Sequence, residues 1–157
     1  MGTSKRLRAE RESCFPGLSA SDYEVTSPED SAYNCIAWAA GHGNTQEWWD
    51  PFSVGCGYHW PDGLPRNARL DNFIELFALK GGYVPCDSPE QESGVEKLAV
   101  YVDRGGEVTH AARQLEDGSW TSKLGEWEDI RHETLEALCG DEPAYGSVGR
   151  ILSRPRR

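Results

Sequence analysis

Apolar residues in the second half of the chain fall into two rhythms. Across 69–80 they recur at Leu70, Phe73, Ile74 and Phe77 with Leu76 beside them, the spacing of one helical face, and Gly81-Gly82 follows as a stop. From Lys97 onward the period drops to two. Leu98, Val100 and Val102 share one face of a strand at 97–103, and Val108, His110, Ala112 and Gln114 share one face of a strand at 107–115. Arg104-Gly105-Gly106 between them predicts a tight hairpin. A second turn at 116–119 leads to a third strand at 120–124. Around this sheet the pattern predicts a short extended piece at 83–86, a polar loop at 87–94, a helix at 133–139 ending at Gly140, and a last edge strand at 144–152 stopped by Pro155. His132 falls in a charged run and reads as a surface residue.

The first half is less regular. Residues 1–20 read as a polar arm whose anchors are Cys14 and Phe15, 21–153 as a single domain, and 154–157 as a basic tail. Ser31-Ala32-Tyr33-Asn34-Cys35-Ile36-Ala37-Trp38-Ala39-Ala40 predicts a short helix, with Ser27 as a cap, Pro28 suited to a first helical position and Glu29 and Asp30 in the first turn. A loop dense in Gly, Pro and aromatic residues follows at 44–65. Two readings fit its Trp48, Trp49, Tyr58, His59 and Trp60: indoles closing over the sheet as a lid, or flat rings walling a substrate cleft.

Charge narrows the classes of partner. The 157 residues carry a formal net charge of −10, but half of the 16 basic residues sit at the two ends, leaving 8 basic against 25 acidic residues between 12 and 149. A body this acidic repels phosphate backbones, so nucleic acid is excluded as a partner and a cationic protein fits better. No apolar run approaches the roughly 20 residues that span a bilayer, and no apolar core follows Lys5-Arg6, so neither a membrane span nor a secretory signal is expected. Five scattered cysteines argue for free thiols in a reducing compartment, hence a cytoplasmic location, with export by a signal-independent route left open. A zinc site would need Cys56 and His59 with Cys86 or Cys139. No second close pair supports it, and neither metal nor cofactor is expected.

Cys35 on an early helix and His110 on a later strand raise one chemistry above the rest. A thiol near a helix start is activated as thiolate, and a histidine brought beside it by the fold acts as base. Taken alone, Cys35 also reads as a small core residue and His110 as a core imidazole bonded to a carbonyl. The segments Asn34-Cys35-Ile36-Ala37-Trp38-Ala39, Lys97 to Asp103, Thr109 to Gln114 and Trp120 to Gly125 resemble a group of bacterial proteins similar in layout to papain-like cysteine amidases of the NlpC/P60 and CHAP kind. The resemblance implies an α+β papain-like fold, with an N-terminal cysteine helix packed on an antiparallel sheet. It also implies an amidase, peptidase or deamidase, as in effector or toxin-type domains, acting on a peptide or protein amide. Cys35 would be the nucleophile and His110 the base. The strand after the histidine offers Thr121, Ser122 and Lys123 where that superfamily more often has His, Asn, Asp or Gln. Ser122 and, farther on, Asp129 or Glu126 are the groups on hand to orient His110. Asn34 and the Cys35 N–H would hold the oxyanion, and Asn34, Trp38, Trp48, Trp49, His59, Trp60 and Gln114 make the candidate substrate-binding set. The alternative function is a non-catalytic, acidic binding or immunity-type protein on a degenerate hydrolase fold.

Overall fold

The computed structural model describes residues 12–18, 23–27, 48–49, 58–59, 69–123, 129–141 and 144–156, with the backbone alone at 27, 48, 49, 58, 59, 80 and 123. Its frame is a seven-stranded sheet. The strands are β1 (Tyr23–Ser27), β4 (Val84–Cys86), β5 (Val95–Val102), β6 (Val108–Gln114), β7 (Trp120–Lys123), β8 (Asp129–His132) and β9 (Ser147–Pro155). Their order is β1-β8-β7-β6-β5-β9-β4, with every neighbouring pair antiparallel. Two short pieces, β2 (Trp48–Trp49) and β3 (Tyr58–His59), pair in parallel inside what the sequence reads as a loop. The fold is thus α+β and mostly antiparallel sheet. Among the described residues no helix is long and apolar enough to cross a membrane.

The hairpins form where turn chemistry asks for them. At the β5–β6 turn the Asp103 carboxylate accepts from the Gly105 and Glu107 amides at 2.9 and 3.0 Å, and Gly106 takes a φ of 82°. Helix α1 (Leu70–Gly81) ends on Gly82 at φ 72°, where the Gly82 and Tyr83 amides bond back to the Ala78 and Phe77 carbonyls. The Tyr83 ring meets Phe77 edge-on at 6.3 Å, the apolar contact that accompanies such a Schellman ending.

Alternation along β5 divides the core in two. Leu98 and Val100, with Ala111 and Leu152 from the flanking strands, pack under Phe73, Leu76 and Phe77 of α1. Ala99 and Tyr101, with Ala112, Trp120, Ile130 and Ile151, pack against Phe15, Leu18 and a 3-10 turn at Leu135–Leu138. Residues 97–101 are therefore shut off from water on both sides. Lys97 lies in this run, wholly buried. Its ammonium donates to the Ser88 and Glu90 carbonyls at 2.7 and 2.6 Å and pairs with Glu92 at 2.5 Å, filling its three donors and tying the 87–94 loop to the sheet.

Several expectations need correction. The last strand is not an edge strand: β9 lies between β5 and β4. It also runs through Pro155, because β4 ends opposite Ser153 and leaves Pro155 with a neighbour on one side only, where a missing N–H costs nothing. Arg154 is no solvated tail residue. It donates to Glu96 at 2.7 Å and to the Gly81 carbonyl at 2.7 Å, and its guanidinium covers the Tyr83 ring at 4.4 Å. The helix expected at 133–139 is a single 3-10 turn, stopped where Gly140 and Gly146 exchange backbone bonds. His132 is completely buried in β8, because its partners Trp120 and Tyr23 place it on the inner face.

Replacing Lys97 by Met should keep the volume but strip two carbonyls of their donor. Glu92, more than half exposed, turns to water without much cost. We expect a loss of about 2 kcal/mol in urea unfolding, with amide exchange in 87–94 accelerated well beyond that of β5.

Candidate functional site

Strand β6 carries His110 in the middle of the sheet, where Tyr101 of β5 is its direct partner. The imidazole is wholly buried. It lies flat on the Tyr145 ring, with centroids 4.1 Å apart and planes within 3°, and Tyr101 leans on it at 5.4 Å and 58°. The Tyr101 hydroxyl donates to the Leu135 carbonyl at 2.7 Å, and burial pushes its pKa well above the usual tyrosine range. Neither ring nitrogen of His110 has a hydrogen-bond partner among the described residues. Burial, and to a lesser degree the nearby His132, hold the ring well below the ordinary histidine pKa. It is a neutral imidazole.

Ser122, expected to orient His110, is engaged elsewhere. It sits one row from His110 on the same face, but its hydroxyl bonds the His132 Nε2 at 2.7 Å. His132 Nδ1 stands 2.9 Å from the Thr134 carbonyl. A carbonyl only accepts, so Nδ1 carries the proton and Nε2 accepts from Ser122. Burial is the main cause that pushes His132 down to about 4, against the upward pull of the Thr134 carbonyl. This is a closed, satisfied pair of the serine–histidine kind, though both members are fully buried.

Asp129 is buried too, yet it does not share the face of His110. Ile130 pairs with Ser122 on the inner face, so Asp129, one residue earlier and paired with Lys123, points to the other side of the sheet two strands away from β6. Gln114 does share that face, but its amide donates to the Pro89 carbonyl at 2.7 Å and so helps Lys97 hold the 87–94 loop. Trp48, Trp49 and His59 are described only as backbone of the β2–β3 pair. Asn34, Cys35, Trp38, Trp60 and Glu126 lie outside the described residues, as does the helix expected at 31–40. Cys86 and Cys139 are half-buried free thiols placed to donate to the Ser88 and Leu135 carbonyls, and among the described residues no group of three His, Cys, Asp or Glu could hold a metal.

Beside the stack, a cavity of about 670 Å³ opens between the β5–β6 turn and the segment before β9. Thr109 and Ala144, the residues just before His110 and Tyr145, line it, and the exposed pair Arg104–Asp141 at 2.8 Å spans its rim. Sequence reasoning passed over Tyr101, Tyr145 and His132 as parts of this region. For Tyr101 the signal was present: a hairpin closed at Gly105-Gly106 sets it opposite His110.

A family profile described as a domain of unknown function (DUF7689) matches residues 24–153, from within β1 to within β9. The chain belongs to this DUF7689 family. No significant match was found among curated proteins or among solved structures. In this DUF7689 domain, then, the chemistry has to be read from the side chains themselves.

The two histidines make stability depend on acid. A free histidine titrates near pH 6.5, whereas His132 in the fold holds out to about 4. Between those values the unfolded chain takes up a proton that the folded chain refuses. Stability is therefore complete above about pH 6.5 and falls toward pH 4, by about 3 kcal/mol from His132, and His110 adds to the loss in the same direction. Urea midpoints should drop between about pH 7 and pH 5, and His132→Gln should flatten the slope. Equal midpoints would contradict the neutral assignment.

Proposed function

We propose that this domain is a cysteine-dependent amide hydrolase or acyl-transfer enzyme with a papain-like arrangement of the NlpC/P60 kind, in which Cys35 is the nucleophile and His110 the base. The observation that carries the reading is the His110 imidazole: buried, neutral, on a central strand of an antiparallel sheet, with neither nitrogen bonded among the described residues. Buried polar atoms are nearly always paired, because an unpaired one costs about 1–3 kcal/mol. A base whose work is to take and return a proton is a reason to keep them free.

In this scheme neutral His110 removes the Cys35 thiol proton as sulfur attacks the substrate carbonyl. The Cys35 N–H and the Asn34 amide receive the developing oxyanion. The imidazolium then gives its proton to the departing nitrogen, and water or another amine takes the acyl group from sulfur. The substrate class is a peptide or protein amide, and the acidic body favours a cationic one. Burial opposes the imidazolium, and the thiolate formed with it favours it.

A second reading, a binding or immunity-type protein, is favoured by one observation. No described acid or amide orients His110, since Ser122 is bonded to His132 and Asp129 lies on the opposite face.

Labelling Cys35 with iodoacetamide against pH separates the two. If the Cys35 proton passes to His110 to give a thiolate–imidazolium pair, the thiolate should form well below the usual cysteine pKa of about 8.5, so Cys35 should label ahead of Cys86 and Cys139 at about pH 6, and His110→Ala should move the rise upward. If Cys35 labels no faster than the other thiols and His110→Ala changes nothing, the enzyme reading fails and binding takes its place.

A further inference from the structure

We infer that Tyr145 is the positioning residue of His110, holding the plane of the imidazole by ring stacking where hydrolases of this type use a hydrogen bond. The inference rests on the reading of His110 as base, since only a base needs its ring plane fixed. A histidine turns about its last side-chain bond, and a polar third residue ordinarily stops that motion by holding one nitrogen. His110 has no such partner among the described residues. Another surface has to fix the plane.

Tyr145 supplies it. Its ring is parallel to the imidazole within 3° at 4.1 Å, while Tyr101 closes the adjoining side at 5.4 Å. Rotation of the His110 ring out of this plane would drive its edge into the Tyr145 face. The stack engages the ring face and neither nitrogen, whereas a hydrogen-bonded orienter would take one of the two.

A positioning group must itself be fixed, and Tyr145 is held from several sides. Its amide donates to the Leu138 carbonyl at 3.1 Å, and its carbonyl accepts from the Thr109 hydroxyl at 2.6 Å, so the residue before His110 is bonded to the residue that stacks on it. Phe15 packs on its ring at 5.1 Å. The next residue, Gly146, has a φ of 87° and lies so close to β5 that a Cβ there would collide with the Val102 carbonyl. The chain can take this path only with glycine at that position. His110 of β6 and Tyr145 of the connection before β9 are thus bound into one unit.

The test compares wild type with Tyr145→Phe and Tyr145→Leu by NMR of the histidine ring protons, assigned with His110→Gln, and by the iodoacetamide rate of Cys35 near neutral pH. A ring stacked on an aromatic face is shifted upfield, so the wild-type His110 signals should lie upfield of an unstacked neutral imidazole. Phe keeps the face and should preserve both the signals and the rate. Leu removes it and should move the signals downfield and slow Cys35 by about two- to tenfold. If Tyr145→Leu does not fold, Tyr145→Met takes its place.

Wild-type signals at the unstacked position would overturn the inference without any variant. So would a Leu variant unchanged in both readouts, or a Phe variant that behaves like Leu, which would assign the effect to the hydroxyl. A Leu variant that moves the His110 signals, in a protein whose Cys35 rate ignores His110→Ala, would keep the stack as the holder of the ring while removing the enzyme reading.

Discussion

Residues 97–101 of strand β5 meet water on neither face and at neither edge. β6 and β9 take its backbone groups, α1 covers Leu98 and Val100, and the 12–18 segment with the 3-10 turn covers Ala99 and Tyr101. Burial on every side forces each side chain to be apolar or fully paired, because an unpaired polar group there has no solvent to fall back on. It also limits size. Ala99, Ala111 and Ala112 let the two layers approach the sheet closely enough for α1 on one side and aromatic rings on the other. The order of the remaining strands follows from β5, since the meander β5-β6-β7-β8 grows on one side and β9 with β4 closes the other.

Besides the Ser122–His132 pair, the polar side chains Lys97, Gln114 and His110 enter the inner face from β5 and β6, and they differ in how they are satisfied. Lys97 fills all three donors within the 87–94 loop and so converts a buried charge into an anchor. Gln114 spends its amide donors on the same loop through Pro89, while its carbonyl oxygen finds no described partner. His110 spends neither nitrogen on a described partner. The degree of pairing thus falls along the face from the loop toward the aromatic cluster of Tyr101 and Tyr145. Scaffold lies at the first end and the candidate chemistry at the other.

The helix 69–80 and the 97–115 hairpin were legible because each signal was long and reinforced. Five apolar positions of one helical face ended in a glycine pair, and two alternating runs flanked Gly105-Gly106. β1 and β8 were not, since five and four residues such as Tyr23–Ser27 and Asp129–His132 are too short for a period to stand out from their charges. The same shortness hid His132, whose burial comes from cross-strand partners far away in sequence. Ser122 was legible as a polar residue on the strand after His110, but not that its hydroxyl would meet the His132 imidazole. Tyr145 carried no sequence signal, because its place depends on the Gly140–Gly146 bridge and not on any repeat.

His110 and His132 form a natural comparison. Both are wholly buried on one face of one sheet, and burial is the main cause that lowers both pKa values. If burial alone set their state, their surroundings would match. They do not: His132 has a carbonyl on one nitrogen and a hydroxyl on the other, whereas His110 has flat rings on its face and, among the described residues, no partner at either nitrogen. A sheet that satisfies one histidine completely had the means to satisfy the other, with Ser122 only a row away. Leaving His110 bare costs stability, and a local rule broken without compensation inside an otherwise consistent core is where function is to be sought.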